Sequence, residues 1–416
     1  MRRLIRLFRF LFVRHRSFTV LTLLFIGALV TAFATGFWLM ARLANVILVA
    51  FPIAYVWAWF NLRGLEVTVE RPHDRLQVGH HFEERITVAN RTWFSKLWLE
   101  VEDLSDLPGH QARRVIGLAP RAKKSWRVAS ECTRRGLFDV GPVRVTTSDL
   151  LGIFRRSRTY GAPQPVLVYP RAEELPKFWV PPALLAGDSR TRRPAYSITP
   201  NAASVREYQP GDGFSRIHWR STARTGELMV KLFELDPASD VWIVLDLHRN
   251  VQAGEGEDST EEHGVRIAAS IARFFLLNNR SVGLVASGRQ FHLAEPERGI
   301  GQFARILEAL ALANAQGNVP LAGLLNHEGR RFGRRTTIVV ITPSTEDAWV
   351  GSLQLLAGRG VKIAAVVLEP RTFGGEGNAL FVFGALAAAE IPTYLIKQSD
   401  DMAATLGADA RGAGVR

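Results

Sequence analysis

The side chains best equipped for chemistry lie in one stretch, Val205 to Lys231. Arg206, Arg216, Arg220 and Arg224 carry planar, permanently charged forks that can grip a carboxylate or phosphate through two hydrogen bonds. Tyr208 and Trp219 place flat rings among them. Pro210-Gly211-Asp212-Gly213 is a turn signature, because proline presets the first turn angle and glycine tolerates positive φ. A nucleic-acid ligand would stack bases on the two rings. An internal network is the competing reading: Glu207, Asp212, Glu227 and Glu234 lie close enough in sequence to pair the arginines, and a buried guanidinium needs a partner. The sequence favours the network. His218 has no serine or cysteine nucleophile with a third orienting group beside it, so it reads as a packed histidine.

A second position stands at a strand end. Val241 to Leu245 is a continuous apolar run, the pattern of a parallel strand buried on both faces, and it stops at Asp246. Similar runs recur at Val282–Ala286, Thr337–Ile341 and Val361–Leu368. Helical spacing appears between them, at Val265–Leu277 behind the capping box Ser259-Thr260-Glu261-Glu262, at Gln302–Ala313, Asp347–Ala357 and Ala385–Ala389. Strand–helix alternation predicts a doubly wound α/β domain over 238–400, in which ligands bind at the carboxyl ends of the strands. Residues 401–416 follow as a tail.

Upstream the period changes to two. Leu65–Glu70, Glu84–Val88 and Leu97–Val101 alternate apolar and polar residues, and Lys124–Val128, Val143–Thr147 and Val166–Val168 extend the series. Short strands at regular spacing predict an antiparallel β-sandwich over 65–170. His73, His80, His81 and His110 share no metal-ligand spacing and read as surface or turn residues. A Pro-rich, charged linker merges with the basic motif across 171–237.

The N-terminus has the look of a membrane segment. Ser17–Met40 and Leu43–Leu62 are free of charge, each near the ~20 residues that span a bilayer, and only Ala41 and Arg42 separate them. They predict two transmembrane helices paired as a hairpin over 17–62, the first leaving the bilayer near Gly36. A second apolar run following at once excludes a cleaved signal peptide. The basic segment 1–16, with Arg2, Arg3, Arg6 and Arg9 available to anionic lipid, puts the N-terminus on the cytoplasmic side. Two crossings would return the chain there, which predicts a membrane protein with both termini and all soluble domains cytoplasmic. The formal net charge of +13 fits a membrane surface or an acidic partner. A single cysteine, Cys132, excludes an intramolecular disulfide framework, and no CxxC motif offers a zinc site.

The central stretch resembles the bacterial family called domain of unknown function fifty-eight. Arg206-Glu207-Tyr208, Pro210-Gly211-Asp212, Arg216-Ile217, Trp219, Ala223-Arg224 and Gly226-Glu227-Leu228 carry the resemblance. Arg134-Arg135-Gly136, Gly141-Pro142, Asp149 to Gly152 and Val168-Tyr169-Pro170 extend it upstream. The resemblance implies a von Willebrand factor type A-like C-terminal domain. Such domains often hold a divalent metal, suited to magnesium, in an Asp-x-Ser-x-Ser motif after the first strand. Here Asp246 is in place, but His248 and Asn250 replace both serines, and Thr342-Pro343-Ser344 stands where a second aspartate is often found. No metal is therefore expected as the rule, with Asp246 the one weak candidate. The resemblance also implies a protein partner, a MoxR-type AAA+ ATPase. The leading expectation is thus a non-enzymatic membrane-tethered adaptor serving complex assembly or envelope maintenance. Its interaction residues are Arg206, Glu207, Tyr208, Pro210, Gly211, Asp212, Arg216, Trp219, Arg220, Arg224, Gly226 and Glu227. The alternative is a metal-dependent enzyme or binder centred on Asp246, and a further one an anionic-lipid or nucleic-acid binder through the arginines, of which nucleic acid is not expected.

Overall fold

The computed structural model describes residues 16–149, 152–178, 204–208, 217–232, 240–334 and 336–408. The chain divides into two units, Met1–Tyr169 and Pro170–Arg416.

The first unit opens with helices α1 (Arg16–Thr35) and α2 (Trp38–Leu62). Here the expectation of two transmembrane helices is corrected: among the described residues one helix is long and apolar enough to cross a membrane, Trp38–Leu62. The break falls at Gly36, in the left-handed region at φ +67°, rather than at Ala41-Arg42. Trp38, Leu39 and Met40 thereby join α2, and α1 keeps an apolar segment of only Thr19–Thr35. At 1.5 Å per residue that segment reaches about 25 Å, short of a hydrocarbon core about 30 Å thick. The 25 residues of α2 reach about 37 Å. Return of the chain to the side of its N-terminus takes two crossings, and one qualifying span among the described residues does not supply them. The buried positions of α2, Ala44, Ile47, Ala54, Ala58 and Asn61, form a narrow stripe of mostly small residues that lets neighbouring backbone approach. Arg2, Arg3, Arg6 and Arg9 lie outside the described residues.

Ten strands follow: β1 (Leu65–Glu70), β2 (Arg75–Gln77), β3 (His81–Asn90), β4 (Lys96–Asp103), β5 (Arg113–Leu118), β6 (Lys123–Glu131), β7 (Gly136–Val140), β8 (Val143–Ser148), β9 (Arg155–Tyr160) and β10 (Gln164–Tyr169). They form antiparallel sheets β1-β3-β6 and β5-β4-β8-β9, with a third, β2-β10-β7, in which β2 and β10 run parallel. Strand β3 shows the cause: every second residue is buried, from Phe82 through Glu84, Ile86 and Val88 to Asn90. Ile86, Val88 and Trp126 from one sheet share a core with Leu99, Val101, Ile116 and Val145 from the other. Glu84 occupies an inward position of that alternation, so a charge enters where the pattern demands an apolar side chain.

In the second unit β11 (Ser204–Glu207) pairs antiparallel with β12 (Met229–Leu232), with the short helix α3 (Trp219–Thr225) between them in sequence. The main sheet contains β13 (Asp240–Leu245), β14 (Val282–Ser287), β15 (Phe291–Glu297), β16 (Thr336–Thr342), β17 (Lys362–Leu368) and β18 (Thr393–Ile396). Their order is β15-β14-β13-β16-β17-β18, parallel throughout except for β15 at one edge. The helices are α4 (Thr260–Leu277), α5 (Ile300–Leu312), α6 (Leu321–Glu328), α7 (Ala348–Gly358), α8 (Ala379–Ala388) and α9 (Met402–Gly407). Leu324, Leu353, Val382 and Leu386 from α6, α7 and α8 pack on Trp242, Val244, Val340 and Val367 of the sheet. Helix α4 starts at Ser259, whose hydroxyl accepts the Glu262 N–H, and packs its Gly264 against Leu245. An added Cβ at Gly264 would sit 3.2 Å from the Leu245 side chain, so glycine sets how closely this helix approaches the sheet. Glu173, next to the unit boundary, pairs with Arg266 of α4 at 2.5 Å, and Phe178 stacks on Tyr394 at 5.4 Å.

Candidate functional site

The sheet reverses direction of growth beside β13: β14 and β15 extend one way, β16 to β18 the other. Two adjacent strands whose connections depart to opposite sides leave a crevice at their carboxyl ends. Asp246 and Thr342 stand at that crevice, and Asp246 is 3% exposed. Its backbone N–H donates to Ile341 O at 2.9 Å. One carboxylate oxygen accepts the His248 N–H at 3.0 Å, and the other accepts the Thr342 hydroxyl at 2.6 Å. Thr342 Oγ1 in turn accepts the Ser344 N–H at 2.9 Å, and Ser344 Oγ accepts the Glu346 N–H at 3.3 Å.

The loop carrying Asp246 is held from below and behind. Gln252 donates to Asp246 O at 3.0 Å and accepts from Thr260 at the start of α4 at 2.8 Å. Gly317 donates to Leu247 O at 3.1 Å and accepts the Arg249 N–H at 3.0 Å. A Cβ at Gly317 would come within 2.3 Å of Ser287 O, so only glycine lets this strand-like crossing close over the two strand ends.

The partners of Asp246 are neutral donors. Burial pushes its carboxyl above the ordinary carboxylate range, against the pull of Thr342 and His248. A buried carboxylate in such a setting takes a proton or a cation. The surrounding donors are hard oxygens, the carboxylate of Asp246 with the hydroxyls of Thr342 and Ser344. Magnesium commonly uses one or two carboxylates and keeps several waters, so this donor set fits it. The absence of serine at 248 and 250 removes two further hydroxyls.

The basic motif is described only in part. Pro210, Gly211, Asp212 and Arg216 lie outside the described residues. Arg206 and Glu207 pair through their backbones with Val230 and Met229, and the Tyr208 N–H donates to Leu228 O at 2.8 Å. Ile217 and Val230 are buried, which anchors the hairpin. His218 bonds Ser221 through Nδ1 at 2.7 Å at the start of α3. Gly226 ends α3 at φ +78°, the left-handed geometry glycine adopts at low cost. Trp219 is 66% exposed, and Arg220, Arg224 and Glu227 are exposed with it. Trp219, Arg220, Arg224 and Glu227 thus face outward.

A further group escaped sequence reasoning. Arg71, following β1, donates to Glu84 on β3 at 3.2 Å and to Asp103 on β4 at 2.8 Å. His110 Nε2 meets the other Glu84 oxygen at 3.2 Å, and its Nδ1 meets Ser130 Oγ at 3.0 Å. Ligand atoms of Glu84, Asp103 and His110 lie within 4.8 Å of one another. Three elements contribute them, so no sequence spacing announces the cluster; the charged Glu84 in the apolar phase of β3 is its one visible sign. Because the Arg71 guanidinium already bridges both carboxylates, the arrangement is an ion-pair network before it is a metal site.

The two acids divide their protons unequally. Burial alone would raise Glu84, but its hydrogen bonds to His110 and Asp103 and the Arg71 charge hold it below its ordinary value. Burial and the neighbouring Glu84 push Asp103 from 3.8 up to about 6. Between those values the unfolded chain has released a proton that the folded chain still holds. The Asp103 contribution therefore falls as pH rises through that window, by about 3 kcal/mol in full. Glu84 acts oppositely, adding stability that is lost as pH falls through its lowered value. Asp103→Asn should accordingly flatten the loss of stability between pH 5 and pH 8, gaining roughly 1–2 kcal/mol on the wild type at pH 8. Urea unfolding of both proteins at the two pH values measures it; parallel shifts would show that Asp103 carries no such proton.

One unit with an α/β fold and a strand-end crevice, and another in which ten strands follow two helices, is the class of protein these features define. Residues 204–373 match the model of the family described as Protein of unknown function DUF58. Among curated proteins it is similar to Uncharacterized protein YeaD of Bacillus subtilis, 26% identical over 324 residues, covering 74% of this chain and 77% of that one. It is 28% identical over 175 residues to Uncharacterized protein Rv1480 of Mycobacterium tuberculosis, covering 40% of this chain. The aligned part spans about half of that relative, 54%. Among solved structures, proximal thread matrix protein 1 from the mussel byssus aligns at 13% identity, covering 40% of this chain and 46% of its own, with a TM-score of 0.31. A likeness at that score carries no argument.

Proposed function

We propose that this protein is a membrane-anchored binding protein whose α/β unit takes a divalent cation at Asp246. The observation that carries the reading is a carboxylate 3% exposed at the switch point, held by neutral hydroxyl and amide donors. Asp246, Thr342 and Ser344 would hold magnesium, and the ion would offer its open positions to an anionic group of a ligand. What supports a von Willebrand factor type A-like fold is the strand order with one antiparallel edge strand, β15. The anchor in this reading is α2. Calorimetric titration of the full-length protein with magnesium and with manganese tests the proposal. Saturable heat that disappears in Asp246→Ala is expected; the same heat in both proteins, or none in either, would contradict it.

A second reading rests on the outward face of α3. Trp219 is 66% exposed beside Arg220 and Arg224, a combination of aromatic and guanidinium groups typical of protein-binding hot spots. An adaptor role, with an AAA+ ATPase as the partner class, would use this face. Trp219→Ala and Arg220→Ala should each weaken partner capture at least tenfold while leaving the unfolding midpoint within about 0.5 kcal/mol of wild type. Crosslinked purification from native membranes, compared by quantitative mass spectrometry, measures the loss. Undiminished capture by both variants would remove this face from the interaction.

A further inference from the structure

The junction between α2 and β4 has a geometry that neither the cation site nor the basic motif uses. Strand β4 carries a bulge between Lys96 and Leu99, where its register with β5 shifts. At the bulge Trp98 adopts φ +50°, a left-handed conformation that is a strained one for a bulky side chain. The effect is to break the alternation: Leu97 and Trp98 are both exposed, where a regular strand would bury one of them. The preceding loop adds Trp93, 72% exposed and stacked on Phe94 at 4.0 Å. Four large apolar side chains are thus presented to the outside by one short segment.

That segment is fixed to the end of the membrane-length helix. The Asn61 side chain donates to Leu97 O at 2.6 Å and accepts the Leu97 N–H at 3.2 Å. Lys96 is 1% exposed and donates its ammonium to Phe60 O. Its burial pulls the amine below its ordinary value. Phe94 meets Phe60 edge to face at 5.9 Å. Arg63, one residue beyond the helix, lies over the Trp59 ring at 3.8 Å and is exposed. Between helix and loop runs an open groove of about 680 Å³ walled by Ile53, Val56, Trp57, Phe60 and Phe94.

We propose that the Trp93–Trp98 segment is immersed in the lipid–water interface and that the groove holds an acyl chain of a bilayer phospholipid. The proposal rests on the reading of α2 as the membrane anchor. The groove's long wall is the apolar surface of that helix itself, so an occupant is continuous with the lipid already surrounding it. Tryptophan and exposed arginine gather at the level where headgroups begin, Trp57, Trp59, Trp93, Trp98 and Arg63 together. Arg63 is placed for the phosphate while the chain lies against Ile53 and Val56. The bulge, with its strained tryptophan, directs apolar side chains to a surface that water alone would not favour. A soluble peptide occupant would have to displace lipid from the helix to reach the same wall.

The test is made on full-length protein in phospholipid vesicles, with Cys132→Ser as background and single cysteines carrying a bimane label. Labels at Trp98→Cys, at Val46→Cys in the middle of α2, and at Val115→Cys on the exposed face of β5 are compared. The quencher is a phospholipid with its nitroxide close to the headgroup. Quenching at position 98 at least threefold above that at position 115 is expected. Strong quenching at 46 under a mid-chain nitroxide with none at 98 would overturn the proposal while leaving the anchor intact. No quenching at 46 would overturn both. Occupancy of the groove is read by native mass spectrometry of protein released from detergent. Wild type should retain a bound phospholipid, and Ile53→Trp, which fills the groove from an exposed position, should reduce the retained fraction severalfold. Equal retention would remove the acyl-chain site.

Discussion

Arg71→Ala should destabilise the first unit by about 3–5 kcal/mol at neutral pH, the cost typical of removing one partner from a buried ion pair. The Arg71 side chain is 8% exposed, and those of Glu84 and Asp103 are fully buried. Without the guanidinium, two carboxylates would face each other in the interior with only the His110 ring beside Glu84. They would respond by holding a proton to higher pH, so the cost should shrink at pH 5. The double variant Arg71→Ala with Glu84→Gln should recover much of the loss, because it removes one of the stranded charges. Urea unfolding followed by tryptophan fluorescence at pH 5 and pH 7.5 measures all of this. A loss below about 1 kcal/mol at pH 7.5 would place the network among weak surface pairs instead.

The second large effect concerns Asp246 and appears only when a cation is added. A ligand that binds the folded state alone stabilises it by about 2.7 kcal/mol at a concentration one hundred times its dissociation constant. Magnesium should therefore raise the unfolding midpoint of the wild-type α/β unit by that order. Asp246→Asn should abolish the increment. The variant without metal should be within about 1 kcal/mol of wild type, since asparagine keeps an oxygen for the Thr342 hydroxyl and removes a charge whose burial is unfavourable. Chemical denaturation with and without magnesium reports both. An increment that survives in Asp246→Asn would move cation binding elsewhere in the chain.

Much of the secondary structure was written locally. The alternation at Leu65–Glu70 and the apolar runs ending at Leu245 and Leu368 give strands at those places, since a pleated strand and a doubly buried one impose those two patterns. Ser259 caps α4 through the Glu262 N–H as the Ser-x-x-Glu spacing demands. Hydropathy counts apolar residues and so gives two spans, whereas the break at Gly36, where the sequence places the exit of the first helix, leaves among the described residues an apolar helix of only Thr19–Thr35 ahead of it. Asp246 was legible as a strand-end acid and Thr342-Pro343-Ser344 as standing where a second aspartate is often found, whereas the bond from the Thr342 hydroxyl to the Asp246 carboxylate was not. The Arg71–Glu84–Asp103–His110 network was not legible either, because Glu84 and Asp103 come from strands of two different sheets and Arg71 and His110 from segments outside the strands, a meeting that no sequence spacing announces. Nor was the Trp93–Trp98 surface, which depends on a bulge that sequence periodicity does not encode.

Anomalous diffraction from crystals soaked in manganese tests the cation site at Asp246 most directly. An anomalous peak about 2 Å from an Asp246 carboxylate oxygen, with Thr342 and Ser344 at its edge, is the predicted result. A peak between Glu84, Asp103 and His110 instead, or no peak in the strand-end crevice of a crystal saturated with manganese, would contradict it.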